Sequence, residues 1–397
     1  MTKRQIAFLA VSVAMMVTLL AGAVFGQATQ KNNIYRYLSI FSEVFELVRT
    51  NYVEPVGSDV LMDGAFSGVT DAVDEFSYYV PPAQMASYKS FTDIEDNGIG
   101  LVVTRRFGYA YVVSSIPGSP ADRAKVEKGD FIEKIDGQLT QSMSVWQVRN
   151  ALRTAKPLRL QVLRGGEARR EEVTIQPAEF HPLQVGSELV SGVTYVRIPY
   201  FEKGTAAQFR TALENARRSG ARKLIVDVRG NAAGSVDEAI LAADELLTRG
   251  VITSVLGRKV EPKRWAADKE TSFEGDVLVL TDNSTASGAE IFAAAIRGNG
   301  RGKVVGISSY GKAVVQKFVT LPSGGGVQLT IGHYTDPELK PIKERGVKPD
   351  VLVDISAQVL LRDEKSKEMR REDDLILNRA LELFGVATTA PAEKKAA

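Results

Sequence analysis

The sequence contains no cysteine among its 397 residues. Disulfide bonds, thiolate metal sites, a lipidated amino-terminal cysteine and a thiol nucleophile are therefore all excluded. Proline is also sparse, with 15 residues, while 44% of the chain is hydrophobic. A chain of this length and composition can bury two or more domain cores, so a disordered protein is excluded as well.

Neither sign of charge predominates. Fifty lysines and arginines stand against 48 aspartates and glutamates, which gives a formal net charge of +2, and the basic residues are scattered among acidic ones. Proteins that bind nucleic acid usually carry a clustered basic surface. We therefore expect no nucleic-acid partner.

Charged residues are also missing from Ile6 to Gly26, directly after Lys3 and Arg4. A basic start followed by an uncharged apolar segment is typical of an export signal. Ala21-Gly22-Ala23 offers a small-residue cleavage site, but the apolar run continues to Phe25 and approaches membrane-spanning length. We expect a periplasmic or otherwise extracytoplasmic protein, whose residues 1–28 are a cleaved signal peptide or an inner-membrane anchor formed by residues 6–26.

An amino-terminal helical region is predicted over residues 29–90. Apolar residues recur there at helical spacing, at Leu38, Phe41, Val44, Phe45 and Val48. Pro55 disfavours helix in the residue before it, and a second apolar stretch from Leu61 to Val73 predicts another helix. The pattern fits either a bundle packed on the rest of the chain or a homodimer surface, and the sequence leaves both open.

From about Asp93 to Ala178, short β-branched runs are broken by glycine and proline, which indicates a small β-rich module. Its segment Gly118–Gly137, GSPADRAKVEKGDFIEKIDG, resembles a PDZ domain, here assigned to residues 91–178. A PDZ domain adds a peptide to its sheet edge and holds the terminal carboxylate on backbone N–H groups of a loop. The resemblance implies unstructured carboxyl termini as partners and places that loop at Gly98, Ile99, Gly100 and Leu101.

Beyond Pro177, strands and helices alternate, which predicts an α/β core with a largely parallel sheet over residues 179–364. The predicted strands are Val193–Ile198, Leu224–Val228 and Val277–Leu280, and the predicted helices are Thr205–Arg218, Ser235–Leu247 and Ala289–Arg297. Residues 365–397 are predicted to form a last helix, Asp373–Phe384, and a disordered tail after Gly385.

The available nucleophile and base pairs are few. The two histidines, His181 and His333, have no serine partner nearby in sequence, although a Ser-His-Asp triad stays open because its members converge only in space. A lysine can replace histidine if burial leaves it neutral near pH 7. Lys312 has such apolar and glycine-containing neighbours, and Ser287 precedes a helix, where it is either a simple N-cap or a nucleophile beside oxyanion-stabilising amides.

The run Ser284–Gln316, STASGAEIFAAAIRGNGRGKVVGISSYGKAVVQ, resembles the catalytic stretch of the carboxyl-terminal processing peptidases, or tail-specific proteases. The resemblance implies that Ser287 is the nucleophile, Lys312 the general base and Gln316 the residue that orients the lysine. Further similar segments, which extend the resemblance over nearly all of the mature chain, are Tyr52–Val56, Val196–Phe201, Leu224–Gly234 and Gly346–Val351.

The family resemblance implies a fold and an activity. The expected fold is a crotonase-like βα protease core with an inserted PDZ domain, which in this family can also gate the site. The expected activity is serine endopeptidase cleavage of envelope proteins near their carboxyl termini, without a metal or organic cofactor. An adaptor protein as a further partner is left open.

Departures from the family motifs concern the residues around the reacting groups. The family's Asn-Pro-Gly-Gly turn reads Asn231-Ala232-Ala233-Gly234, from which Ala233 and Gly234 are expected to form the oxyanion hole with Gly288. If the missing glycine served a positive φ, this turn would be displaced. The glycine after the lysine is Ala313, and Asp-Pro-His-Ser reads Asp74-Glu75-Phe76-Ser77.

Two alternatives from other classes follow. A catalytically weak or silent PDZ scaffold, which binds carboxyl termini without cleaving them, is favoured by the alanines of the turn. A crotonase-like acyl-CoA enzyme would share the core fold and its backbone oxyanion hole, but the PDZ insertion and the export segment disfavour it.

Overall fold

A computed structural model describes residues 3–90, 98–164, 169–355 and 373–386. The chain divides into two compact units, Met1–Gly68 and Val69–Ala397. The predicted tail after Gly385 lies almost wholly outside the described residues.

The first unit is helical, as predicted. Helix α1 runs without a break over Lys3–Asn51, and α2, which extends just beyond the unit, covers Ser58–Asp71. Side chains at residues 1–11 and 19–33, on which most of the export prediction depends, lie outside the described ones. Over the described part of the chain, no helix combines the length and the apolarity that crossing a membrane requires. Large apolar side chains of α1 are exposed, among them Ile34, Tyr37, Leu38 and Phe41.

The second unit contains a PDZ-like sheet with strand order β2-β3-β4-β6-β7, in which β5 pairs with β4. Its strands are β2 (Leu101–Arg106), β3 (Tyr109–Ser115), β4 (Phe131–Ile135), β5 (Gln138–Leu139), β6 (Leu158–Arg164) and β7 (Arg169–Ile175). Helix α4 (Pro120–Arg123) begins where Ser119 Oγ accepts a hydrogen bond from Asp122 N and proline occupies the first helical position. Helix α5 (Val145–Leu152) packs beside β2, which lies at the edge of this sheet next to β3 among the described strands.

The main sheet of the core has the strand order β17-β14-β13-β10-β9-β8 and is parallel apart from the β8–β9 hairpin, which confirms the α/β prediction. Its strands are β8 (Gly186–Val190), β9 (Val193–Arg197), β10 (Lys223–Asp227), β13 (Asp276–Thr281), β14 (Gly302–Gly306) and β17 (Val351–Leu352). Helices α6 (Thr205–Arg218), α7 (Val236–Asp244) and α8 (Gly288–Gly298) share one hydrophobic core with this sheet.

A helix near the carboxyl end, α9 (Leu375–Leu383), packs in a second core with Ile225, Leu280 and Val305 of the main sheet. Asp374 caps it by accepting a hydrogen bond from Leu377 N. Both oxygens of Asp374 also accept hydrogen bonds, each of 2.7 Å, from the guanidinium of Arg229. This buried pair joins α9 to the segment that follows β10.

A smaller antiparallel sheet completes the core, with strand order β1-β16-β11-β12 and β15 paired with β16. It is formed by β1 (Tyr78–Val80), β11 (Gly250–Leu256), β12 (Lys263–Ala267), β15 (Val314–Thr320) and β16 (Gly326–Thr335), and the short helix α3 (Met85–Ser90) follows β1. Because β1 pairs with β16, the residues just before β1 are held next to the loop that carries Lys312.

Candidate active site

Ser287 lies in the turn between β13 and α8. Its φ is +55°, its exposed fraction is 9%, and it immediately precedes the first residue of the helix. A non-glycine residue in this conformation is strained by roughly 1–3 kcal/mol, and such residues cluster at active sites. Thr285 fixes the turn by donating from Oγ1 to Val228 O, and Ala286 N donates to Asn231 O.

The residue after Ser287 has to be glycine for steric reasons. A Cβ on Gly288 would lie 2.9 Å from Ala239 Cβ and 3.4 Å from Ser235 O. The serine turn therefore approaches the start of α7 closely enough to exclude a side chain, and it lies beside the turn at residues 231–234.

The backbone of that second turn is not strained at its alanines. Its left-handed residues are Gly230 and Gly234, whereas Ala232 and Ala233 are not among the residues with positive φ. The condition under which the missing glycine would displace the turn, a positive φ at the substituted position, is therefore not met. Over the described ranges, no protein acceptor takes a hydrogen bond from the amides of Ala233, Gly234 or Gly288. Such unpaired amides are what an oxyanion hole requires.

Lys312 lies in the loop between β14 and β15, and its exposed fraction is 6%. Gly311 N and Lys312 N donate to the two carboxylate oxygens of Glu290, at 2.5 and 2.8 Å. Ala313, where the family has glycine, is buried beside it. The loop backbone is thus attached to helix α8, which also begins at the serine turn.

Glu290 is a candidate site residue that the sequence did not reveal. It is fully buried, and its carboxylate accepts four hydrogen bonds: from Ser309 Oγ (2.5 Å), Gly311 N, Lys312 N and Ser287 N (3.1 Å). Burial raises the pKa of Glu290 to about 7, while these hydrogen bonds act in the opposite direction. A glutamate three residues after a serine at a helix start is a capping-box pattern, which is the signal that could have found it.

Gln316 contacts residues 74–77, which we call the strap, since they lie across the lysine loop. Its Nε2 donates to Phe76 O at 2.7 Å. With one amide N–H held in this way, the amide oxygen is the group that a lysine can donate to. Within the strap, Asp74 accepts hydrogen bonds from Phe76 N and Ser77 N, which fixes the turn.

The strap also brings two charged groups to the site. Tyr310, two residues before Lys312, donates its hydroxyl to Glu75 Oε1 at 3.0 Å. Burial raises the pKa of Glu75, against the effects of Tyr310, Arg106 and Lys312. Asp74 pairs with Lys343 at 3.1 Å.

The histidines lie elsewhere. His181 is exposed between β7 and β8, and His333 lies on β16 opposite Val314 and Leu256. Burial lowers the pKa of His333. Within the described ranges, no hydrogen bond joins either histidine to a serine or an aspartate. A Ser-His-Asp triad therefore receives no support.

The PDZ domain lies directly on the turn at residues 231–234. Val102 and Val113 of the PDZ sheet form one buried cluster with Ala232, Ala233 and Ala286. Ser114 Oγ donates to Gly230 O at 2.6 Å.

An ion pair reinforces this contact. Lys128 of the PDZ domain pairs with Asp282 Oδ2 at 2.5 Å, and Asp282 Oδ1 accepts from Gly230 N at 3.0 Å. Although burial acts against it, Lys128 holds the pKa of Asp282 below its ordinary value. Both polar groups of the Gly230 backbone are thus engaged, directly or through Asp282, by the PDZ domain.

The predicted carboxylate loop at Gly98–Leu101 precedes the edge strand β2. Ile99 O and Gly100 O accept from Ala121 N and Ile116 N, and a Cβ on Gly100 would lie 2.1 Å from Ser119 Cβ. Ile99 and Leu101 are buried in the PDZ core. The position of β2 at the edge of the described sheet is compatible with strand addition, but carboxylate capture by this loop stays a prediction.

Comparisons with known proteins agree with this architecture. Residues 192–353 match peptidase family S41, and residues 111–164 match a PDZ domain. A carboxy-terminal-processing protease of Bartonella bacilliformis is 28% identical over 359 residues, covering 88% of this chain and 83% of that one. The carboxy-terminal processing protease CtpA of Bacillus subtilis is 27% identical over 319 residues, covering 79% and 68%.

The fold also has a solved counterpart. The structure of a photosystem II D1 C-terminal processing protease aligns with a TM-score of 0.66 at 22% identity, covering 81% of this chain and 91% of that one. Fold and matches together define a serine peptidase of family S41 with a PDZ domain. The relatives that align over most of this chain are carboxy-terminal processing proteases, which confirms the resemblance found in Ser284–Gln316.

Proposed function

We propose that this peptidase cleaves proteins near their carboxyl termini through an acyl-enzyme on Ser287, with Lys312 as the base. The observation that carries the proposal is the carboxylate of Glu290. Its Oε2 accepts from the backbone N–H of both Ser287 and Lys312, so one buried group fixes the two segments relative to each other. A strained serine at a helix start and a buried lysine are the two partners that a Ser-Lys dyad needs.

The reaction follows from these positions. Lys312 takes the proton of Ser287 Oγ, and the oxygen attacks the carbonyl carbon of the scissile bond. The unpaired amides of Gly288, Ala233 and Gly234 stabilise the oxyanion. Lys312 then gives its proton to the leaving amine and accepts one from the water that hydrolyses the ester. Gln316, held by the strap, orients the lysine.

Substrate selection is assigned to the PDZ domain. An unstructured carboxyl terminus adds to the open edge of β2, and its carboxylate is held by the loop at Gly98–Leu101. Displacement of the PDZ domain from residues 231–234 then admits substrate to Ser287. The basic residues Lys3 and Arg4, followed by the uncharged apolar segment from Ile6 to Gly26, support an extracytoplasmic location and envelope-protein substrates.

Partners other than the substrate are proposed from surface character. The exposed apolar side chains of α1 support a homodimer formed through the amino-terminal helices. An adaptor that presents substrate would use the same PDZ edge.

The test is incubation of the full chain with an unfolded protein, followed by mass analysis of the products. We expect products shortened from the carboxyl end for the wild type and none for Ser287→Ala. Ser284→Ala removes a buried hydroxyl from the same turn and is the matched control, which should stay active. Binding of the unfolded protein without any cleavage by the wild type would favour the silent scaffold instead.

A further inference from the structure

The turn between β2 and β3 places an aromatic ring in solvent at a strained position. Phe107 is 84% exposed, and its φ is +52°. Bulky side chains rarely adopt this conformation, which glycine, asparagine and aspartate tolerate far better. Folding alone would favour one of those residues, so the ring calls for another explanation.

Phe107 is one end of a row of aromatic residues on the outer face of the PDZ sheet, which we call the aromatic strip: Phe107, Tyr109, Phe131 and Tyr111. The Phe131 ring centroid lies 6.3, 6.4 and 5.1 Å from those of Phe107, Tyr109 and Tyr111. The guanidinium of Arg106 covers Tyr111 and Phe107 at 5.2 and 5.9 Å. Ala110 and Val112, which alternate with Tyr109 and Tyr111 along β3, are buried in the PDZ core instead.

The other end of the strip reaches the site. Tyr111 packs against the cluster that contains Ala232 and Ala233. These alanines belong to the turn at residues 231–234, which we call the oxyanion turn because it is proposed to contribute to the oxyanion hole. Tyr111 and Arg106 also line a cavity of about 470 Å³ together with Glu75, Tyr310 and Gly311, the residue before Lys312. A continuous surface therefore leads from the exposed Phe107 to the lysine loop.

We propose that the aromatic strip is a binding site for an extended segment of the substrate polypeptide that carries apolar or aromatic side chains. This inference rests on the proposed function and adds to it a second element of selection besides the carboxyl terminus. Rings and a flat guanidinium bind planar peptide and aromatic groups by stacking. The cavity at the inner end is lined by Asp74, Glu75, Arg106, Lys343 and Glu344, a mixed-charge lining that suits a polypeptide backbone better than a lipid chain.

The test uses Phe107→Asn, which removes the ring and relieves the backbone, so the fold should be at least as stable. Leu339→Asn is the matched control, because Leu339 also has a positive φ (+65°), is 54% exposed and lies outside the strip and the cavity. Phe107→Gly is a second ring-removing variant with a permissive backbone. The substrates are an unfolded polypeptide rich in Phe and Tyr, its counterpart with those residues replaced by Ser, and a short blocked peptide.

For Phe107→Asn and Phe107→Gly we expect KM on the aromatic polypeptide to rise about tenfold, with kcat and the turnover of the short peptide unchanged. Leu339→Asn should behave as the wild type. Dissociation constants of the same polypeptides, measured in a Ser287→Ala background, should change in parallel, and they remain measurable if Ser287 proves not to be the nucleophile.

An unchanged KM and dissociation constant in both Phe107 variants would overturn the proposal. So would equal losses on the Ser-replaced polypeptide. Loss of binding to anionic phospholipid vesicles with retained polypeptide binding would assign the ring to a membrane surface and would overturn it too.

Discussion

Oε2 of Glu290 accepts hydrogen bonds from the backbone N–H groups of both proposed reacting residues, Ser287 and Lys312. Glutamine at this position would replace one carboxylate oxygen by an amide NH2 group. That group would face two of the four hydrogen-bond donors instead of accepting from them. We expect Glu290→Gln to lower kcat/KM by about 100-fold or more and to destabilise the fold by roughly 2–3 kcal/mol. Turnover on a short peptide and urea unfolding measure the two effects. Wild-type turnover in a folded Glu290→Gln enzyme would remove Glu290 from the site.

The raised pKa of Glu290 also predicts a pH dependence of stability. Because the folded value of about 7 exceeds the usual 4.5, the contribution of this group is fully present below pH 4.5 and is lost as pH rises through 7. The stability of the wild type relative to Glu290→Gln should therefore fall by about 3 kcal/mol over that range. Urea unfolding of both proteins at several pH values measures it, and a difference that does not vary with pH would contradict the shift.

Replacing Lys312 tests its proposed role as the general base. Arginine stays protonated at any pH that the fold tolerates and cannot act as a base. Lys312→Arg should therefore be as inactive as Lys312→Ala, while the double variant His181→Gln, His333→Gln should keep most of its kcat/KM. An active Lys312→Arg enzyme, or an inactive and folded double-histidine variant, would overturn the dyad.

At the scale of single residues, the sequence could predict which residues are candidates for the reaction, but not their conformation or contacts. Ser287 and Lys312 stand in a motif that can be read directly, and their assignment as nucleophile and base remains a proposal. The hydrogen-bonded role of Glu290 could have been suspected from the capping pattern. The positive φ of Ser287 and the normal φ of Ala233 depend on packing between segments, which no local pattern contains.

Single elements were predicted to within a few residues where the pattern was strong. Helix α6 has the predicted bounds, Thr205–Arg218, because its apolar face recurs with helical period. The role of the strap could not be predicted, since Tyr310 and Glu75 are 235 positions apart and Gln316 and Phe76 240. Such contacts arise only once β1 has paired with β16.

Helix α9 offers a prediction at the scale of elements. Asp374 pairs Arg229 with this helix, while Arg229 also pairs with Asp227, which binds Arg197 in turn. Removing the charge of Asp374 therefore leaves this cluster of two arginines and two aspartates with one uncompensated positive charge. We expect Asp374→Asn to lower the free energy of unfolding by about 3 kcal/mol. Asp373→Asn, which changes the neighbouring and less buried carboxylate, should be nearly neutral. Equal effects of the two variants on the urea midpoint would argue against the pairing.

At the scale of the whole molecule, the PDZ domain covers the oxyanion turn. Because the chain lacks cysteine, a cysteine pair placed across this contact is an unambiguous lock. We expect at least one of the four pairs that combine position 102 or 113 with position 232 or 233 to form a disulfide. That pair should lose turnover when oxidised and regain it with reductant.

The control for this lock is Val103→Cys with Ala232→Cys, since Val103 belongs to the PDZ core and faces away from the turn. It should neither cross-link nor respond to reductant. Failure of all four pairs to cross-link, or full activity of a completely cross-linked pair, would show that the contact does not close the site.

The contact of the PDZ domain with the turn at residues 231–234 is one part of its attachment to the core, since Val145 and Trp146 of α5 are buried in a separate cluster with Tyr78 and Val80. Among the described residues, the contact with this turn includes a cluster of valine and alanine side chains on which tyrosines pack, a hydrogen bond from Ser114 Oγ and an ion pair whose lysine is 38% exposed. Separating the PDZ domain from this turn alone costs a few kcal/mol, because water can replace each polar contact that is lost. A bound tail can drive this step only by its higher affinity for the opened form, and a thousandfold preference for that form supplies about 4 kcal/mol. If the proposed opening controls access to Ser287, the peptidase would remain at rest among folded proteins, whose ends are hidden, and would be switched on by the exposed carboxyl termini of damaged or unfinished chains.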